Sequence, residues 1–151
     1  MDYNEHLSLL RESYIKATPK MRLNVALDRL NNPTCGANQI IQIVSAVEGL
    51  ARSLAVHLSK LKEHEDINSA YEKLKYKNPA QLVEYICKIE NLDRSELFHE
   101  KQWELFEYAI KYRNLLIHEC TLLGQDKFPP LIDATKVIFY KLKELYRMDE
   151  T

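Results

Sequence analysis

Glycine is scarce: Gly36, Gly49 and Gly124 are the only 3, and no two are close together. A phosphate-cradling loop of the P-loop or dinucleotide type needs several glycines within a few residues, so both are excluded. Cysteine is sparse too. Cys35, Cys87 and Cys120 are scattered, odd in number and without a CxxC pair. That pattern reads as reduced thiols in a cytosolic protein, not as a disulfide scaffold or zinc ribbon. No uninterrupted run of about 18 apolar residues occurs, so no membrane span is expected. The opening stretch MDYNEHLSLLRESY is charged throughout and lacks an apolar core of signal-peptide length. An excess of one charge is also missing, since 21 basic residues face 22 acidic ones. No global field drives the chain onto nucleic acid or membrane; such binding needs a local patch. A soluble, cytoplasmic protein without membrane association is expected.

What is present is helical periodicity. The 151 residues suit one domain with a real core. NEHLSLLRESYIKA reads as a first amphipathic helix that stops near Thr18-Pro19, and KMRLNVALDRL follows it as far as Asn31-Asn32-Pro33. From Ala37 to His64 the chain carries Ile40, Ile43, Val44, Val47, Leu50, Leu54, Leu58 and Leu61. Their three- and four-residue spacing predicts one broad apolar stripe on a central helix. DINSAYEKLKYK either continues as helix or breaks near Asp66. Asn78-Pro79 is a helix opening, with Asn as the N-cap and Pro at the first helical position. The helix it opens is PAQLVEYICKIENL; the chain turns around DRSELF, and a long helix runs from about His99 to about Cys120. LLGQDKFPP reads as a loop and LIDATKVIFYKLKELY as a last helix. Strand alternation and hairpin turns are lacking. The expected fold is all-α, residues 1–151 forming a single helical bundle of about five helices.

One segment breaks its own pattern. On the helix that ends in YAIKYRNLLIHEC, residues 108–120, Trp103, Phe106, Ile110 and Ile117 form an apolar line, with Leu105, Ala109, Leu116 and Cys120 beside it. Arg113 falls where that line calls for another apolar residue. Asn114 lies one step round, and His118 is four residues further, so those two share a face. Arg113 and His118 stand about 140° apart around the helix and about 7.5 Å apart along it. They converge on one substrate if the helix distorts near His118, or if two chains pair along it and pool their residues.

The chemistry of the set is specific. The arginine fork fits phosphate oxygens and is always charged. Histidine moves protons near neutrality, and asparagine orients an imidazole or donates a hydrogen bond. Neither a metal cluster nor an activated nucleophilic side chain is required. Metal-independent RNA cleavage fits: histidine serves the ribose 2′-hydroxyl or the leaving oxygen, and arginine stabilises charge building on phosphorus.

RNLLIHE resembles the signature of HEPN domains, an Arg, a polar residue that is often Asn, and a His after four to six intervening residues. Arg113, Asn114 and His118 match it with four. The resemblance implies a helical, homodimeric ribonuclease without cofactor, with Arg and His of both protomers at the interface. It further implies a setting in toxin–antitoxin or antiviral defence, with RNA as substrate and an antitoxin as possible protein partner. Members that work with a small nucleotidyltransferase often carry a tyrosine two places after the histidine. Cys120 stands there, so adenylylation at that position is out of reach.

Other residues join the candidate set. Lys111 is a candidate phosphate contact, and Tyr108 and Tyr112 are candidates for stacking on a base. Glu48 interrupts the central stripe beside Gly49, where another helix could approach closely. It is a candidate to hold Arg113 or His118, or else it pairs with Arg52 four residues on. Zinc is not expected: His57 and His64 are two helical turns apart, and His118, Glu119 and Cys120 diverge. The lysines of YEKLKYK read either as an RNA track or as a solvated helix end. Two other classes compete with the nuclease: a catalytically silent interaction module, and a nucleotide-binding domain using the same basic residues.

Overall fold

The computed structural model describes residues 3–31, 37–119 and 128–146, although a few side chains within them, His118 and Glu119 included, lie outside the description. Among the described residues there are eight helices and no strand. They are α1 (Tyr3–Lys16), α2 (Pro19–Asn31), α3 (Ala37–Glu63), α4 (Ile67–Leu74), α5 (Pro79–Ile89), α6 (Arg94–Leu97), α7 (Glu100–Glu119) and α8 (Phe128–Tyr146). The all-α class expected from periodicity is therefore found, with more helices than about five because short capped breaks divide the chain.

Those breaks have local causes. Pro19 opens α2, where its missing N–H would have no intrahelical partner anyway. After α3, His64 adopts a left-handed φ of 54°. Asp66 then caps α4, its carboxylate accepting from the Ser69 N–H at 3.0 Å. So the chain breaks near Asp66 and does not run on. Asn78 caps α5 in a capping box, each of Asn78 and Gln81 accepting the other's backbone N–H at 2.9 Å. Helix α5 ends at Ile89, three residues before its expected end at Leu92, and Asn91, at φ 57°, turns the chain beyond it. The stretch DRSELF contains the single-turn α6, capped by Asp93. At the other end α8 begins at Phe128 and so takes in Pro129 and Pro130, which were expected in a loop. Prolines in a first turn remove only hydrogen bonds that the turn lacks. Residues 120–127, which hold Cys120 and the rest of that loop, lie outside the described residues.

The 27-residue α3 is the axis of the bundle, packed against α2, α4, α5, α7 and α8. Its stripe from Ile40 to Leu58 is buried. Leu61 is not: it is 69 % exposed, in a last turn, residues 60–63, whose contacts with neighbouring elements are made by Lys62 and Glu63. Burial at about 25 cal/mol per Å² of apolar surface makes this stripe a large contributor to stability. Helix α3 is also the one described helix long and apolar enough to cross a membrane, at mean hydropathy 1.2. Of that window 61 % is buried within the fold, as befits a core helix. Cys87, on α5, is a buried free thiol whose pKa burial pushes up.

Candidate functional site

Helix α7 turns Trp103, Phe106, Ala109, Ile110 and Leu116 into the core. Arg113 falls on that inward face and is only 8 % exposed. A guanidinium there needs partners, since an unpaired buried charge is costly. It finds three. Its Nη2 pairs with Glu48 Oε1 at 2.8 Å, its Nε donates to Asn114 Oδ1 at 2.9 Å, and its Nη1 donates to Ser45 Oγ at 3.3 Å.

The α3 side of the site is a polar row. Ser45, Glu48 and Arg52 recur at three- and four-residue spacing, so they share one helix face. Glu48 uses its other oxygen, Oε2, to accept from Arg52 Nη2 at 2.9 Å. Arg52 Nη2 also reaches the Lys77 carbonyl at 2.7 Å, which ties the turn before α5 to the same network. Both alternatives for Glu48 thus occur together: it holds Arg113 and pairs with Arg52. Gly49 is not a point of close helix approach, because a Cβ there would meet nothing within 4 Å.

The remaining sequence candidates are distributed differently. Asn114 is exposed and accepts from Arg113. On an ideal helix it stands between Arg113 and His118, about 100° from the first and 40° from the second. His118 occupies the last turn of α7, with its side chain outside the description. Lys111 and Tyr108 lie on the outer face, the ammonium 5.3 Å from the ring centroid, in a shallow hollow shared with Glu104 and Glu107. The structure does not bring those two to Arg113. Tyr112 is half-buried and meets Phe128 edge-on at 6.1 Å, so its ring serves the contact between α7 and α8. The lysines of YEKLKYK are largely neutralised: Lys73 pairs with Glu63 and Glu65, and Lys75 with Glu72. That supports the solvated helix end over an RNA track.

Sequence reading missed Ser45 and Arg22. Ser45 had a signal, the polar row it begins on α3; Arg22 had none, since it comes from another helix. Arg22 lays its guanidinium over the Tyr14 ring at 4.7 Å, and the Tyr14 hydroxyl donates to the Gly49 carbonyl at 2.6 Å. Burial pushes the Tyr14 pKa up to about 12, against the pull of Arg52 and Arg22, so it is a neutral donor. Among the described residues no three His, Cys, Asp or Glu side chains converge as metal ligands. No family model, no curated protein and no solved structure matches the chain.

Proposed function

We propose that the chain is a metal-independent endoribonuclease of the HEPN type, acting as a cytoplasmic homodimer in toxin–antitoxin or antiviral defence. Arg113 binds the scissile phosphate and stabilises the charge that develops on it. His118 takes the proton of the ribose 2′-hydroxyl, or gives one to the leaving 5′-oxygen. Asn114 fixes the Arg113 fork. The attacking group is the substrate's own 2′-hydroxyl, so DNA is left intact.

The observation that carries this reading is a guanidinium pre-oriented at a position where an apolar side chain would pack more simply. Three of its five N–H donors are engaged, by Glu48, Asn114 and Ser45, which leaves two for phosphate oxygens. A second chain docking over the end of α7 would cover Leu115 and Ile117, which are 40 % and 49 % exposed. The same docking sets two Arg113–His118 pairs around one phosphodiester. Lys111, two turns before His118 on the same face, then meets the flanking backbone.

The competing reading, a silent interaction module, is favoured by the closed state of the network. Both Glu48 oxygens are taken by guanidinium groups, and Arg113 is nearly covered in the single chain. Leu115 and Ile117 are then contacts for a protein partner. Incubation with total RNA in EDTA, beside the His118→Ala variant, separates the two. Chelator-resistant cleavage lost in the variant supports the nuclease; RNA equally intact, or equally cut, in both samples removes it.

A further inference from the structure

Three guanidinium groups crowd the junction of α2, α3 and α7. Arg52 and Arg113 share the Glu48 carboxylate, and Arg22 reaches the same neighbourhood from α2, where it and Arg52 both act on Tyr14. Among the described residues these three guanidinium groups have one carboxylate, Glu48, between them, a net of +2. Two of the guanidinium nitrogens, Arg22 Nε and Arg52 Nε, are buried without a hydrogen-bond partner. Buried and unpaired, they add uncompensated positive charge to the cluster.

Beside this cluster lies a hollow of about 120 Å³ between α2 and α3. Arg22, Ser45 and Gly49 line its polar side, and Val25, Ala26 and Leu50 its apolar floor. Water occupies about 30 Å³ per molecule, so the hollow holds a tetrahedral oxyanion with a water or two. The missing Cβ at Gly49 keeps it open, since nothing stands within 4 Å of that point. The Ser45 hydroxyl accepts from Arg113, which leaves its own hydrogen free to donate inward. The Tyr14 ring, its centroid 4.7 Å from the Arg22 guanidinium, helps hold that side chain in place.

We propose that this hollow is an oxyanion site for a phosphate group, bound by Arg22 and Ser45 with Arg113 behind the serine. The chemistry is the same for inorganic phosphate and for the phosphomonoester of a nucleotide: two or three acceptor oxygens facing a fork and a hydroxyl. The site stands apart from the ribonuclease reading, because phosphate binds here whether or not RNA is cut.

Thermal melts of the full chain decide it, at constant ionic strength, with chloride replaced stepwise by phosphate or, in a parallel arm, by AMP. The melting temperature rises with ligand concentration, and Arg22→Gln weakens the apparent affinity at least tenfold. Ser45→Ala weakens it several-fold. General salt stabilisation acts equally on all variants, so a rise of the same size in Arg22→Gln as in the parent overturns the proposal, as does no rise in the parent. Should Arg22→Gln fail to fold by circular dichroism, Arg22→Lys decides: it keeps the charge but loses the fork, and unchanged affinity refutes the site. The arm with the larger Arg22-dependent shift names the ligand as free phosphate or nucleotide.

Discussion

Replacing Glu48 by glutamine keeps the shape of the site and removes its one negative charge. The side chains of Arg113, Arg52 and Glu48 are 10 %, 14 % and 22 % exposed, so the network is mostly shielded from water. Removing one partner from a buried pair costs about 3–5 kcal/mol, because the remaining charge is left uncompensated. Here two guanidinium groups lose the same acceptor, while the partial exposure of Glu48 lets water return to the gap. The expected loss is at the lower end, about 3 kcal/mol, or about 6–12 °C in melting temperature for a chain of this length.

Arg113→Met is the counterpart. It leaves Glu48 held by Arg52 and places an apolar chain in line with Phe106 and Ile110, at a cost below about 1.5 kcal/mol. The double variant then loses less than the sum of the two by at least about 1 kcal/mol, since Arg113 no longer needs the missing carboxylate. Urea midpoints for the four proteins measure the cycle. A loss below about 1 kcal/mol for Glu48→Gln, or strict additivity, refutes the view of Glu48 as the shared counter-charge.

Two further outcomes are expected. Burial holds the pKa of His57 below its ordinary 6.5, with Lys60 pulling the same way and the Ala17 carbonyl opposing, so the folded state binds fewer protons than the unfolded chain just below that value. Stability contributed by the neutral ring is therefore full above pH 6.5 and is lost as pH falls toward the lower folded value. Urea midpoints at about pH 7.5 and 5.5 drop less in His57→Gln than in the parent, and equal slopes refute the assignment. Gly49→Ala meets open space within a helix, so it raises stability by about 0.5–1 kcal/mol and the melting temperature by about 1–4 °C. A fall would mean that the hollow beside it is closed.

The periodic parts of the fold were legible because their causes are local. Asn78-Pro79 announces α5 through its cap, and the spacing of the α3 apolar residues announces the bundle axis. The breaks were harder. Nothing in the residue types around His64 requires a left-handed turn, and a proline pair reads as a loop signal unless it falls in a first turn, as it does in α8. Exposure of Leu61 depends on which residues in the last turn of α3 meet neighbouring elements, which periodicity does not encode. For the site, the anomaly at Arg113 and the interruption at Glu48 were both visible along the chain. Their contact was one of several possibilities there, and the convergence of Arg22 from α2 is a tertiary fact with no local trace.

Stability and function make different demands on Arg113. Buried ion pairs contribute little net stability compared with apolar residues of similar volume, because desolvation offsets the attraction. The α7 line offers such a site: Ile110 lies three residues before Arg113 and Leu116 three after, and both are buried. If Arg113→Met folds as well as the parent, the fold has no use for the guanidinium that a thioether does not meet. The charge must then act on something outside the fold, and an excess of cations over one carboxylate makes an anion the fitting counterpart. If Arg113→Met instead loses as much as Glu48→Gln, the pair is structural, and the phosphate chemistry proposed for α7 loses its arginine.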